Sequence, residues 1–209
     1  MDVSKYICFD CETTGLEQNC NLLTLCLVIL DNNLNQIDML NISLKQDDGY
    51  TIFPEALVIN KINLIEHHNN STTLSESRIK LFNFLNLNKT FFNLIPIGHN
   101  LKFDIDFIKK SGLLTELEYN NYISYNFIDT ITIAQFLKLS GKLHPKQSIS
   151  LVNLCNIDKL NLKIDKTQEH SAEYDTKMTI SLLKSFVDLI KEEKTEDKDK
   201  NKNKKRKHD

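Results

Sequence analysis

Two carboxylates one residue apart stand in the stretch FDCETTG at residues 9–15: Asp10 and Glu12. They follow the apolar run YICF. Alternate side chains of a strand share a face, so both would project to the same side. Like charges that close repel each other, and burying them unpaired is costly. A positive counterpart or solvent must sit there, and a metal ion, a Lys or Arg, or water would each serve. Charged residues at a strand end are more often solvated than functional, so this pair by itself does not define a site.

Two further segments carry the same kinds of group. In GHNLKFDIDFI, Asp104 stands early in a helix that follows a buried strand, where a crevice forms at the strand's carboxyl end. A helix N-terminus also favours an acidic residue that has no other role. Asp106, two positions on, points elsewhere. In HSAEYDT, His170 precedes a helix and Asp175 lies about one turn and a half inside it, with the small Ala172 between them permitting close approach of a neighbour. Read alone, His170 suits a surface loop and Asp175 an exposed first-turn acid.

The elements that must position these groups follow from the apolar pattern. Residues 5–9, 22–30 and 36–44 are β-rich runs, the last two joined by the turn-forming DNNLN, and short connections favour an antiparallel meander. PEALVINKI reads as a short helix with Pro in its first turn. Thr73 and Glu76 form a capping box ahead of a helix in SESRIKLFNFLNL. FFNLIPIG then reads as a buried strand, HNLKFDIDFIKKSG as an amphipathic helix ending at Gly112, ISYNFID as a strand and TITIAQFLKL as a helix. SISLVNLCNI predicts a short helix and SAEYDTKMTISLLKSFVDLIKEE a long one. A strand meander followed by alternating helix and strand gives an α/β fold, a mixed sheet flanked by helices.

Bulk properties narrow the classes. The 209 residues suffice for one domain with a real core, and no apolar stretch is long enough to span a bilayer. MDVSK lacks the apolar segment of a secretory signal, and five Cys without a dense framework suit reduced thiols, so an intracellular location is expected. Residues 191–209 hold nine Lys/Arg against six Asp/Glu, which leaves the body at about −5 and the tail at +3. The body therefore lacks the bulk positive charge of a protein that grips duplex DNA by its phosphates. The tail has no hydrophobes to build a core and is expected to be disordered, which sets the domain at 1–190. Its KNKKRKHD run suits either a nuclear-targeting or nucleic-acid tether or a solvated end.

Taken in order, D-x-E-T-T-G-L, H-N-x-x-F-D-x-x-F and H-x-A-x-x-D resemble the motifs of the DEDDh exonucleases, RNase H-like proteins that include proofreading subunits of bacterial replicative polymerases. The resemblance covers about residues 4–190. PEALVINKI with Asn63, IDTITIAQFL and SLVNLC resemble the family's intervening segments. The fold implied is RNase H-like, a mixed five-stranded sheet with the antiparallel meander first and parallel strands after it.

The resemblance implies metal-dependent 3′–5′ removal of nucleoside 5′-monophosphates from single-stranded or frayed ends, in DNA replication or repair or on short RNA. Asp10, Glu12, Asp104 and Asp175 would then be hard oxygen ligands for two Mg²⁺, with Mn²⁺ as substitute. Two ions roughly 3.5–4 Å apart can stabilise both the attacking and the leaving oxygen. By similarity Asp10 bridges them, Glu12 and Asp175 serve mainly the ion at the attacking water, and Asp104 serves the other. His170 is the implied general base, a role that suits an imidazole because it titrates near neutral pH. Thr13, Thr14, Gly15 and Leu16 would reach the terminal nucleotide, and His99, Asn100 and Phe103 would line its pocket. The implied partners are single-stranded DNA or RNA 3′ ends and a DNA polymerase or other replication protein, with no membrane. A catalytically silent nucleic-acid scaffold on the same fold is the competing class, and the full set of acids argues against it.

Other features point away from chemistry. Cys8 and Cys11 form a C-x-x-C, but positions three apart on a strand face opposite sides and cannot chelate one ion. Tyr174 immediately precedes Asp175, whereas a Tyr base in the sister branch stands four residues before the Asp, so packing is its expected role. His67-His68 lacks partners at ligand spacing and reads as a solvated loop.

Overall fold

The computed structural model describes residues 5–205 apart from 18, 47, 48, 161 and 166, with side chains described as far as Lys191. Its first strand, β1 (Tyr6–Thr13), carries Asp10 and Glu12 near its end, where the sequence places them, and takes in Thr13 as well. It pairs antiparallel with β2 (Leu22–Leu30), which pairs antiparallel with β3 (Gln36–Ser43). Asp31 closes the β2–β3 turn by accepting the amides of Asn33 and Asn35, each at 2.8 Å. Parallel strands β4 (Ile95–Gly98) and β5 (Ile128–Asp129) complete a five-stranded sheet of order β3-β2-β1-β4-β5. The mixed sheet with its meander first is as the sequence predicts. The strands expected in FFNLIPIG and ISYNFID shrink to four and two residues, because their flanks leave the sheet.

Helices α1 (Pro54–Asn60) and α3 (Leu74–Asn88) stand where Pro54 and the Thr73–Glu76 capping box place them. Between them α2 (Leu64–Asn70) replaces the expected solvated loop. The Asn63 side chain caps it, accepting the amides of Ile65 and Glu66, and the His67 ring lies 3.0 Å from the Leu23 carbonyl. Then come α4 (Leu101–Lys110), α5 (Glu116–Tyr122), α6 (Thr130–Leu139), α7 (Leu151–Cys155) and α8 (Ala172–Lys205). The sequence reading passes over α5, although Thr115 and Glu118 form a capping box there.

β1 alternates between two cores, and this alternation places the acids. Ile7, Phe9 and Cys11 pack with Leu81 and Leu85 of α3 and with Leu101, Phe107 and Ile108 of α4. Cys8 faces the other way, with Ala172, Ile180 and Leu183 of α8. Period-2 geometry therefore puts Asp10 and Glu12 on the face that α8 covers. It also sends Cys8 and Cys11 into different cores, so the C-x-x-C is no chelate.

The backbone carries α8 to Lys205, so the charged stretch, expected from composition to be disordered, continues the last helix as far as it is described. Lys and Glu are good helix formers and need no core contact to extend one. The last four residues, RKHD, lie outside the described residues. Among the described residues no helix is long and apolar enough to cross a membrane.

Candidate active site

β4 pairs with β1 only over Tyr6–Cys8 and turns away at Gly98. Past Cys8, the edge of β1 that faces β4 has no strand beside it. The Cys11 amide, which lies on that edge between the two acids, donates instead to Asp104 Oδ1 of α4 at 3.0 Å. Asp129 holds the start of α4 in place by accepting the amides of Asn100 (3.2 Å) and Leu101 (2.9 Å). On the α8 face Asp175 arrives in the first turn of its helix. Carboxylate oxygens of Asp10, Glu12 and Asp175 lie within 4.8 Å of one another. A register shift of the β1–β2 pairing between Glu12 and Thr13 marks the same place, a common accompaniment of active sites.

Among the described residues no Lys or Arg forms an ion pair with these acids. His170 Nδ1 stands 4.0 Å from Asp175 Oδ2, and its ring is partly exposed. Burial pushes all four carboxyls up. Asp10 rises well above the usual carboxylate range, first by burial and then by the charges of Asp104, Glu12 and Asp175. Glu12 is pushed up to about 8 by burial, with Asp175 and Asp104 adding to it. Asp104 reaches about 7 by burial, opposed by its hydrogen bonds from Cys11. Asp175 reaches about 6 by burial, opposed by the neighbouring His170. Such a set is short of positive charge.

A divalent cation fits that deficit. Three carboxylates converge on one point, offering only hard oxygen donors of the kind Mg²⁺ and Mn²⁺ prefer. Asp104 does not join the three-way convergence, since its Oδ1 is engaged by the Cys11 amide, but its charge is the strongest acting on Asp10. Three of the four predicted ligands thus share one centre and the fourth lies beside it.

The sequence pattern that defines the RNase T group of exonucleases matches residues 7–183. The chain belongs to this exonuclease family. It is a phosphodiester hydrolase acting on nucleic acid, and the family depends on divalent metal. The exonuclease is 24% identical to ribonuclease T of Shewanella denitrificans over 185 residues, covering 84% of this chain and 77% of that one. Its fold is like that of exonuclease I from Methylocaldum szegediense, with a TM-score of 0.65, 17% identity, and 87% and 40% of the two chains covered. It is also like E. coli exonuclease I in complex with a dT13 oligonucleotide, with a TM-score of 0.63, 18% identity, and the same coverage. The chain thus spans about 40% of the length of the exonuclease I chains it matches.

Beside the acids of the exonuclease lies a mainly apolar cavity of about 390 Å³, whose walls include Glu12, Thr13, Gly15, Leu16, Phe53 and Phe103. Leu16 is 81% exposed, which removes core packing as its role. Phe103 packs against Phe107, with ring centroids 4.7 Å apart and the ring planes tilted by 47°. The buried Thr14 welds the turn to its surroundings, its hydroxyl donating to the Thr51 carbonyl (2.7 Å) and accepting the Asn21 amide (2.9 Å). Thr13 spends its own hydroxyl on the Gly15 carbonyl at 2.8 Å.

His99 and Asn100 do not line this cavity, contrary to the sequence expectation. The His99 ring bonds the Thr130 hydroxyl at 2.8 Å and the Ile149 carbonyl, and burial pulls its pKa down. Asn100 takes a left-handed conformation (φ 65°) as the N-cap of α4, where its amide meets Asp129. Both residues brace the element that carries Asp104. Sequence reasoning in turn missed the α1 wall, made by Phe53, Ala56, Ile59 and Asn60. Asn60 is buried and donates to the Thr13 carbonyl at 3.1 Å. The Pro-led helix PEALVIN was the available signal. Tyr174 packs as expected, its hydroxyl 2.6 Å from the Asp165 amide, and Asp106 is exposed and paired with Lys102 at 2.9 Å.

Gly15 is where the turn tolerates no side chain. A Cβ there would lie 2.6 Å from the Phe53 ring and 2.7 Å from Cys20 Sγ, at a φ of 154°. Gly15→Ala is expected to cost about 1–3 kcal/mol of stability by overpacking, read as a lower urea midpoint at unchanged slope.

Proposed function

We propose that the chain is a divalent-metal-dependent 3′–5′ exonuclease that releases nucleoside 5′-monophosphates from single-stranded or frayed DNA ends. The carrying observation is the convergence of Asp10, Glu12 and Asp175 beside an apolar cavity rimmed by the exposed Leu16. A cavity of that kind suits an unstacked terminal nucleotide, whose base can lie against apolar and aromatic side chains in any sequence. DNA is favoured because exonuclease I relatives are described in complex with dT13 and dA16 oligonucleotides. RNA is the second reading, and the ribonuclease T relative supports it.

In this reading Asp10, Glu12 and Asp175 hold the metal, with Asp104 supporting it next to Asp10. When bound, Mg²⁺ or Mn²⁺ supplies Lewis-acid stabilisation of the attacking and leaving oxygens. Leu16 and Phe103 hold the terminal base, and the Thr13–Leu16 turn places the terminal phosphodiester against the acids. His170, in a left-handed backbone conformation (φ 64°), has its partly exposed ring 4.0 Å from Asp175. There it takes the proton of the attacking water. The catalytic unit is residues 1–190, in an intracellular compartment. The resemblance to proofreading subunits is what supports a polymerase partner.

The test uses 5′-labelled single-stranded DNA and RNA of one sequence, with Mg²⁺, Mn²⁺ or EDTA. A ladder shortening from the 3′ end, absent in EDTA, is expected, with DNA the faster substrate. His170→Ala should slow it by about 10²–10⁴-fold. Binding without shortening would instead establish a silent scaffold, and faster loss of RNA would establish the second reading.

A further inference from the structure

Lys110 ends α4, far in sequence from the turn that carries Leu16, yet its ammonium is built into that turn. Nζ donates to the Glu17 carbonyl at 3.3 Å and to the Cys20 carbonyl. The Glu17 carbonyl also accepts the Cys20 amide at 3.1 Å, which closes the turn just past Leu16. The same ammonium lies 4.6 Å from the centroid of the Phe107 ring, and Phe107 in turn carries Phe103 on the cavity wall. An ammonium has three donors, and two carbonyls and an aromatic face accommodate them. One cation therefore joins the segment that holds up the exposed Leu16 to the aromatic pair of α4, of which Phe103 lines the same cavity.

We infer that Lys110 is a positioning residue that fixes the gap between Leu16 and Phe103, in which the terminal base is held. Leu16 gains nothing from the core, and its place over the cavity depends on the backbone beneath it. Gly15 fits tightly against Phe53 and Cys20 on one side, and Lys110 ties Glu17 and Cys20 on the other. Without the tie the turn is free to move away from Phe103, and the terminal base loses one wall while the acids keep their geometry. The inference rests on the cavity being the seat of the terminal nucleotide.

The experiment compares wild type, Lys110→Met, Lys110→Arg, Leu16→Ala and the Leu16→Ala/Lys110→Met double variant. Each is assayed on a single-stranded oligonucleotide and on bis(p-nitrophenyl) phosphate, which has no base. Lys110→Met keeps the aliphatic stem without the donors. It is expected to raise KM for the oligonucleotide about tenfold, the order of a lost charge-assisted hydrogen bond. kcat and hydrolysis of bis(p-nitrophenyl) phosphate should stay within about twofold of wild type, and Lys110→Arg should restore most of the KM. In the Leu16→Ala background the same change should matter far less, because the residue through which it acts is gone. An unchanged KM in Lys110→Met, equal losses on both substrates, or full additivity with Leu16→Ala would overturn the inference. A wild type that hydrolyses bis(p-nitrophenyl) phosphate but never shortens the oligonucleotide would overturn the reading of the cavity, and the role of Lys110 with it.

Discussion

Asp10→Asn is expected to lower nuclease activity by about a thousandfold or more while making the metal-free protein more stable than wild type at pH 8. The two effects share one cause. Asp10 sits on β1 among Asp104, Glu12 and Asp175, and burial with those three charges holds its carboxyl well above the usual range. At pH 8 the metal-free native state must either keep a proton there or bear an uncompensated charge, and the unfolded chain does neither. Asparagine has nearly the same shape and no charge to place. The stabilisation should be about 1–3 kcal/mol and should fade below about pH 3, where the unfolded carboxyl is itself largely protonated. Activity and stability curves against pH for the two proteins check both halves. A packing role for Asp10 would instead make the variant less stable at every pH.

Metal-free wild type should lose stability as pH rises from about 4 to 8, and a divalent cation should restore it. In the native chain Glu12 is pushed up to about 8, Asp104 to about 7 and Asp175 to about 6, whereas unfolded carboxyls ionise near 4. Across that window the native state binds more protons than the unfolded one, so the free energy of unfolding falls with rising pH. Glu118 has the opposite sign: its hydrogen bonds from Arg78 lower it to about 2, so its contribution fades only as pH falls from about 4.5 towards 2. The metal-free protein should therefore be most stable near pH 4–5. Mg²⁺ or Mn²⁺ at 100 times its dissociation constant adds about 2.7 kcal/mol, and most at the alkaline end, where its ligands are ionised. Thermal unfolding at pH 5 and pH 8, in EDTA and in Mn²⁺, reads the crossing directly.

These expectations show how far the chain could be read before its structure. β2 and β3 were legible because a buried apolar run and the DNNLN turn leave few alternatives. β1 was legible as far as Glu12, because two carboxylates one residue apart at the end of an apolar run fit one strand face. The four acids and His170 were legible as a motif set, but the convergence of Asp10, Glu12 and Asp175 is not a local property. It depends on β4 stopping at Gly98 and on α8 covering one face of β1. His99 and Asn100 stand beside a motif but outside the Leu16 cavity: the His99 ring is bonded to Thr130 and the Asn100 backbone amide to Asp129, contacts that no local sequence pattern announces. The α1 wall was hidden for a related reason: Phe53, Ile59 and Asn60 look like ordinary helix residues until the Thr13–Gly15 turn docks against them.

The central claim is that Asp10, Glu12 and Asp175 form a divalent-cation centre on which nucleic-acid hydrolysis depends. Titration of Mn²⁺ into the metal-free protein at pH 8, followed by the electron paramagnetic resonance of the free ion, tests it most directly. Wild type should take up the ion, Asp10→Asn should take up little or none, and oligonucleotide shortening should rise in step with occupancy. Shortening that proceeds in EDTA, or equal Mn²⁺ uptake by wild type and Asp10→Asn, would contradict it.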